Sequence, residues 1–229
     1  MRYQYELFKA EALAKTIYNK LDLSTGEVKT FAIPGGRSPG PILKALASLC
    51  SSEDLQSLVL TWVDERYVEA DSSDRNDLAT LNAWREGGIL PKTVIPMPTK
   101  SEDIQKDCVT YENNLKAKCD NLKINVSLLG IGEDGHFASL FPNHPLLNQT
   151  ENVLSLKDSP KPPSERITLS LPLIDRSDFK CVLCFGEQKG EVFKKVLQGK
   201  DKQYPISLLS PENTIWYLDE AALSAAGLK

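Results

Sequence analysis

Apolar positions along the chain recur with two different periods, and their alternation predicts the architecture. Leu13, Ile17 and Leu21 stand four residues apart, which predicts an opening amphipathic helix. The run VKTFAIP (28–34) predicts a short strand, and PGGRSPG breaks it before a helix over PILKALASL (41–49). SLVLTWVDERYV (57–68) predicts a strand running into a polar edge, and TVIPMPT (93–99) another short strand. Ser101, Glu102 and Asp103 mark a helix start, with acids at the positive end of the dipole, and that helix continues over 104–118. Next come a strand over INVSLLGIG (124–132) and a helix over HFASLF (136–141). ERITLSLPL (165–173) and CVLCFG (181–186) read as strands, and 189–199 as a helix. A last strand and helix fall within 214–227.

Several of these strands are continuous apolar runs, which marks strands buried on both faces. Strands alternating with helices then predict an α/β fold, with a mainly parallel central sheet and helices on both faces. The polar stretch LKDSPKPPSER reads as a loop inside one unit, so residues 1–229 are taken as a single domain. Ligands of such sheets bind outside the carboxyl ends of the strands, which is where the unusual stretches of this chain fall.

Composition narrows the partners. The chain has 229 residues, 41% apolar and 25% charged, with a formal charge of −4. Nothing here attracts nucleic acid or an anionic membrane surface broadly, so an anionic ligand needs a local field. The opening MRYQYELFKAEALAK lacks the apolar centre of a secretory signal, and no run approaches the roughly 20 residues that span a bilayer. Five cysteines at irregular spacing argue against a disulfide framework. Cys181 and Cys184 form a CxxC, but within an apolar strand and without a second pair, so buried packing is the reading and no metal site is expected. A cytoplasmic setting fits.

Four stretches carry candidate chemistry. Gly35 and Gly36 in IPGGRSPG admit close approach of a ligand, and the amides before the following helix, with Ser38, suit phosphate. No Gly-Lys-Ser/Thr follows, so this is not a Walker A loop, and alone it is a weak signal. Asp64, Glu65 and Arg66 follow apolar Trp62 and Val63, where an acid-acid-base triplet suits substrate orientation and stabilisation of negative charge. In GIGEDGHFASLFP, Gly130, Gly132 and Gly135 permit a tight turn that places His136 near a helix start, with Asp134 two residues before it. Imidazole near neutral pH can take a proton from water and return it to a leaving group. His144, between prolines, has no role beyond local structure. Arg166 and Lys189, with Arg37 and Arg66, supply the local positive charge that the net charge does not.

The blocks PGGRSPG, VDERYV, LLGIGEDGHFASLFPNHPLL, DSPKPPSERITLSLPL, GEQKGEV and WYLDEAA, in this order, resemble the 6-phosphogluconolactonase family, within the wider glucosamine-6-phosphate deaminase/isomerase fold group. The resemblance implies a Rossmann-like three-layer sandwich and hydrolysis of 6-phospho-D-glucono-1,5-lactone in the oxidative pentose phosphate pathway, with no metal or organic cofactor. Its partner would be a small phosphorylated sugar lactone, and the protein a monomer or weak homodimer. Carried over by motif, His136 resembles the catalytic base. The loop Gly35-Gly36-Arg37-Ser38 and Lys189 would hold the phosphate, and Asp64, Arg66 and Arg166 would line the same cleft, with Arg66 the candidate for oxyanion stabilisation. How Arg66 and Arg166 divide phosphate and lactone stays open, as does whether Asp134 fixes the imidazole tautomer or shapes the turn. Many members carry Ser-Asn after the DER strand; this chain has Asp74-Arg75-Asn76, with Asn76 the candidate for the asparagine position. An amino-sugar-phosphate isomerase or deaminase is the nearest rival, but the acid such enzymes carry after DGH is missing from FASLFP. A sugar-phosphate-sensing regulator would need a DNA-binding module for which the chain has neither room nor basic character.

Overall fold

The computed structural model describes residues 3–228. The buried apolar runs become the strands of one seven-stranded sheet, every pair of it parallel, in the order β1-β10-β9-β6-β2-β3-β5. These are β1 (Gln4–Leu7), β2 (Lys29–Ile33), β3 (Leu58–Trp62), β5 (Thr93–Val94), β6 (Val126–Gly130), β9 (Phe179–Cys184) and β10 (Thr214–Leu218). A second, three-stranded antiparallel sheet runs β4-β8-β7, from β4 (Asp64–Arg66), β7 (Val153–Leu156) and β8 (Arg166–Leu169). The described residues also form eight α-helices, α1 (Ala10–Leu21), α2 (Gly40–Leu49), α3 (Asp54–Ser57), α4 (Asn76–Gly87), α5 (Ile104–Lys118), α6 (Leu171–Asp175), α7 (Glu187–Val196) and α8 (Glu220–Ala225), and three short 3₁₀ helices. The whole is a three-layer α/β sandwich. α1, α2 and α4 pack in succession, α7 packs on α8, and α5 covers β7. β3 and β9 are buried at every residue, as their continuous apolar runs require.

Four expectations change. The strand expected over 57–68 is two strands in two sheets. At Val63 the chain crosses over: its N–H donates to the Ile33 carbonyl at 3.0 Å, and its own carbonyl accepts the Leu169 N–H at 2.8 Å. The strand over 165–173 stops at Leu169, because Ser170 caps α6 through its Oγ and Pro172 stands in the first turn. Prolines 96 and 98 confine the strand in TVIPMPT to Thr93–Val94.

The helix over 136–141 does not form. Phe137 instead bridges Ile131 and Leu140, and Ala138 is left-handed at φ 47°. Tertiary contacts outweigh helix propensity here: Phe137, Leu140 and Phe141 are buried, and Ser139 is held by Asp64 and Thr168. His136 therefore has no helix dipole behind it.

Cys181 and Cys184 are buried free thiols on β9, as the packing reading has it, and burial pushes the Cys184 thiol up to about 12. Among the described residues no helix is long and apolar enough to cross a membrane, and no group of three or more His, Cys, Asp or Glu is arranged to hold a metal ion.

Candidate active site

β9, β6, β2 and β3 are neighbours in the sheet, and the chain leaves β2 towards β3 but leaves β6 towards β9. The loops at their carboxyl ends therefore diverge around a crevice, as open parallel sheets do at a switch point. A cavity of about 320 Å³ opens there.

Each wall follows from local sequence. After β2, Gly35 sits so close to α4 that a Cβ would fall 1.8 Å from Asn76 Oδ1, and Gly36 has φ +86°. The opening of α2 offers no free amide, since Pro39 and Pro41 have no N–H and the Gly40 N–H donates to the Arg37 carbonyl at 3.2 Å; the loop amides of Gly35 to Ser38 donate to no acceptor among the described residues and are open to an anion. After β6, Gly132 lies directly beneath the imidazole: a Cβ would meet His136 Nδ1 at 2.1 Å. The turn closes with the Gly132 N–H donating to the His136 carbonyl at 2.8 Å, and Gly135 takes φ +78°.

His136 lines the cavity, while Asp134 stands behind it with Oδ1 2.5 Å from Nδ1. Nε2 has no hydrogen-bond partner among the described residues. An imidazole whose Nδ1–H is held by a carboxylate presents Nε2 as its basic atom. Burial alone would raise the Asp134 carboxyl, but the hydrogen bonds and charge of His136, with Lys161, outweigh it and hold it at about 2. Phe141 fixes the other side of the ring, with centroids 4.7 Å apart.

β4 and β8 bring Asp64, Arg66 and Arg166 to the opposite wall. Asp64 Oδ2 accepts from Ser139 Oγ at 2.7 Å and lies 3.9 Å from Arg166 Nη1. Arg166 is buried; its Nε and Nη2 donate to the carbonyls of Pro163, Lys161 and Pro162, which leaves Nη1 towards the cavity. Burial disfavours its charged form most, Asp64 opposes that and Arg66 adds to it, so the guanidinium titrates below its ordinary value. Arg66 donates through Nη1 to the Asp74 carbonyl, and its buried Nε has no partner among the described residues. Lys189, in the first turn of α7, makes no ion pair among the described residues.

The cavity thus collects Gly35, Gly36, Arg37, Ser38, Asp64, Arg66, His136, Arg166 and Lys189, although up to 154 positions separate them in the chain. Asp134 is reached only through His136, and Glu65 faces away.

The family model described as glucosamine-6-phosphate isomerases/6-phosphogluconolactonase matches residues 8–216. The chain belongs to this family. The 6-phosphogluconolactonase of Synechocystis sp. is 34% identical over 204 residues, covering 84% of this chain and 82% of that one. That of Mycobacterium tuberculosis is 33% identical over 205 residues, covering 83% and 82%. The crystal structure of 6-phosphogluconolactonase from Thermotoga maritima superposes with a TM-score of 0.84 at 23% identity, covering 96% of this chain and all of that one. A monomeric glucosamine-6-phosphate deaminase has the same fold, with a TM-score of 0.78 at 18% identity, covering 97% of this chain and 99% of that one.

Within the family fold, four further residues line or brace the cavity. Asn76 enters it because α4 begins there, donating from Nδ2 to the Asp64 carbonyl at 3.0 Å. Gly130 and Leu183, paired in register at the ends of β6 and β9, line its floor. Ser139 braces Asp64 from a segment that reads as a helix. Asn76 is a candidate only through the resemblance, since the polarity of DSSDRND is no guide by itself, and for Ser139 the sequence holds no signal.

Proposed function

We propose that this chain hydrolyses 6-phospho-D-glucono-1,5-lactone to 6-phospho-D-gluconate, the lactonase step of the oxidative pentose phosphate pathway, with His136 as general base. The observation that carries this reading is the imidazole itself. Its Nδ1 is anchored on Asp134 and its Nε2 is left free in a cavity with four cations, Arg37, Arg66, Arg166 and Lys189, and one carboxylate, Asp64.

The substrate is a cyclic ester that already hydrolyses slowly, so modest help suffices. Nε2 takes a proton from water as the water oxygen bonds to C1. The carbonyl electron pair moves onto oxygen, and Arg66, through its charge and its free Nη2, stabilises it. When the oxyanion collapses, the bond from C1 to the ring oxygen breaks, and the imidazolium returns its proton to that oxygen. General base catalysis of this kind gives about 10²–10⁴-fold, and one preorganised donor adds roughly 3 kcal/mol. The amides of the Gly35–Ser38 loop and Lys189 hold the phosphate, so binding far from the ester fixes C1 against His136. Arg166 has most of its donors tied to loop carbonyls and acts mainly through its charge.

The deaminase chemistry of the same family is disfavoured by the carboxylates. None lies between His136 and Pro142, and Asp64, the one carboxylate lining the cavity among the described residues, is engaged by Ser139 and Arg166. The test uses fresh lactone at a pH where spontaneous hydrolysis is slow, followed by acid release with wild type and His136→Ala. Wild type no faster than buffer removes the lactonase reading; a fully active variant removes the base. Ammonia release from glucosamine 6-phosphate would favour the deaminase.

A further inference from the structure

Glu65 is 1% exposed and lies between two residues that line the cavity, yet it does not line it. Alternation along β4 turns it the other way, into the gap between β4 and the start of α4. There its Oε1 accepts the N–H of Arg66 and of Asn76, both at 2.7 Å, and its Oε2 accepts the N–H of Asp77 at 2.9 Å. It thereby caps α4, whose own N-cap residue, Arg75, supplies no side-chain cap.

Two of the three amides belong to residues whose side chains form the cavity wall. Arg66 reaches across to the Asp74 carbonyl, and Asn76 wedges between Gly35 and the Asp64 carbonyl. We propose that Glu65 is a positioning residue: its carboxylate clips β4 to α4 and so sets the spacing of Arg66 and Asn76 across the wall.

Around it stand Arg75, whose Nη2 is 3.8 Å from Oε2 and 2.6 Å from the Asp77 carboxylate, and, further off, Tyr111 and Arg166. Burial is the largest influence on Glu65 and raises it; the three amides and Arg75 pull it back, leaving it at about 7. The clip is therefore charged and tight above that pH, and protonated and weaker below it. Raised pKa values for an acid mean that the ionised clip is held against a folding preference for the neutral form.

The kinetic readout rests on the lactonase reading; the spectroscopic one does not. In amide proton NMR of the wild-type protein without substrate, Arg66, Asn76 and Asp77 should follow one titration with a midpoint near 7, flat in Glu65→Gln. At pH 8, Glu65→Gln should raise KM for the lactone about tenfold with kcat within about threefold, and the rise of KM that wild type shows towards pH 6 should shrink. The phosphate of the substrate titrates equally for both proteins and cancels in their ratio. Amides that do not titrate together in wild type overturn the proposal, even if the variant fails to fold. So does a variant with wild-type KM and pH dependence and only a lower Tm. An inactive wild type sinks the lactonase instead; the amide titration and the affinity for inorganic phosphate, weaker in the variant if the clip holds the wall, then decide Glu65.

Discussion

Arg66 and Arg166 are direct partners across the antiparallel pair β4–β8, and both line the cavity. Opposed like charges are unfavourable, and Asp64, 3.9 Å from Arg166 Nη1, offsets only part of that repulsion. An anion settling between them relieves the rest. At about 100 times its Kd, 6-phosphogluconate should stabilise the fold by about 2.7 kcal/mol, or about 5–10 °C in Tm for a chain of this size. Thermal unfolding checks this against chloride at matched ionic strength, which should give little shift. A shift undiminished in Arg66→Met would mean that the pair is screened and not filled.

The approach of Gly132 to His136 leaves no space for a methyl group, since a Cβ would meet Nδ1 at 2.1 Å and Asp134 Oδ1 at 2.5 Å. Gly132→Ala must displace the imidazole, and an error of about 1 Å is worth about 10²-fold in rate. Its kcat/KM should fall close to that of His136→Ala, while folding by circular dichroism persists. Near wild-type turnover would show that the ring position is not critical.

These two cases also show what the sequence displays and what it conceals. Buried parallel strands announce themselves as apolar runs, so the central sheet and the loops at its carboxyl ends are readable in advance. The small sheet is not: β4 continues directly from β3 with one residue between, and only its partners β7 and β8 separate it. α4 hides because its buried side includes Asn76, Asp77 and Thr80 along with Trp84, which breaks the apolar period. The stretch 136–141 reads as a helix because Phe137, Leu140 and Phe141 have helical spacing. Its real conformation is imposed by Asp64 and Thr168, which lie far off in the chain.

Asp134 offers a test with a definite sign. Its carboxyl is held at about 2, below the ordinary 3.8, so its contribution to stability is present above about pH 4 and lost as pH falls through 2. The Tm difference between wild type and Asp134→Asn should close as pH falls from about 4 to 2. Catalytically, the amide no longer fixes Nδ1–H, and kcat should drop by about 10²–10⁴-fold across the neutral range. An unchanged kcat would leave Asp134 as a turn-forming residue only.

Lys189 separates phosphate binding from ester chemistry. It stands on α7 without an ion-pair partner among the described residues, facing a cavity whose other walls hold the imidazole and the arginine pair. Lys189→Ala should raise KM for the phosphorylated lactone by about 10–100-fold, the loss of one charge-assisted contact of about 1.5–3 kcal/mol. Hydrolysis of unphosphorylated gluconolactone should change less than about threefold if the ester chemistry is intact, a residual set by screened charge alone. Equal losses on both substrates would remove the phosphate role.

Gly130 ends β6 with no left-handed backbone to satisfy, and a Cβ added there meets nothing within 4 Å. Neither strain nor packing asks for glycine at this position. Its location does, because it lines the cavity beside Leu183, and a side chain would stand where a ligand stands. Replacing a strand glycine in a compatible conformation stabilises by about 0.4–1 kcal/mol through the unfolded chain. Gly130→Val should therefore keep or raise Tm while raising KM for the lactone at least about tenfold, the factor that goes with roughly 1.4 kcal/mol of lost binding. Stability and affinity moving in opposite directions is the signature of space reserved for substrate. A variant with both unchanged would show that the sugar ring lies elsewhere in the crevice.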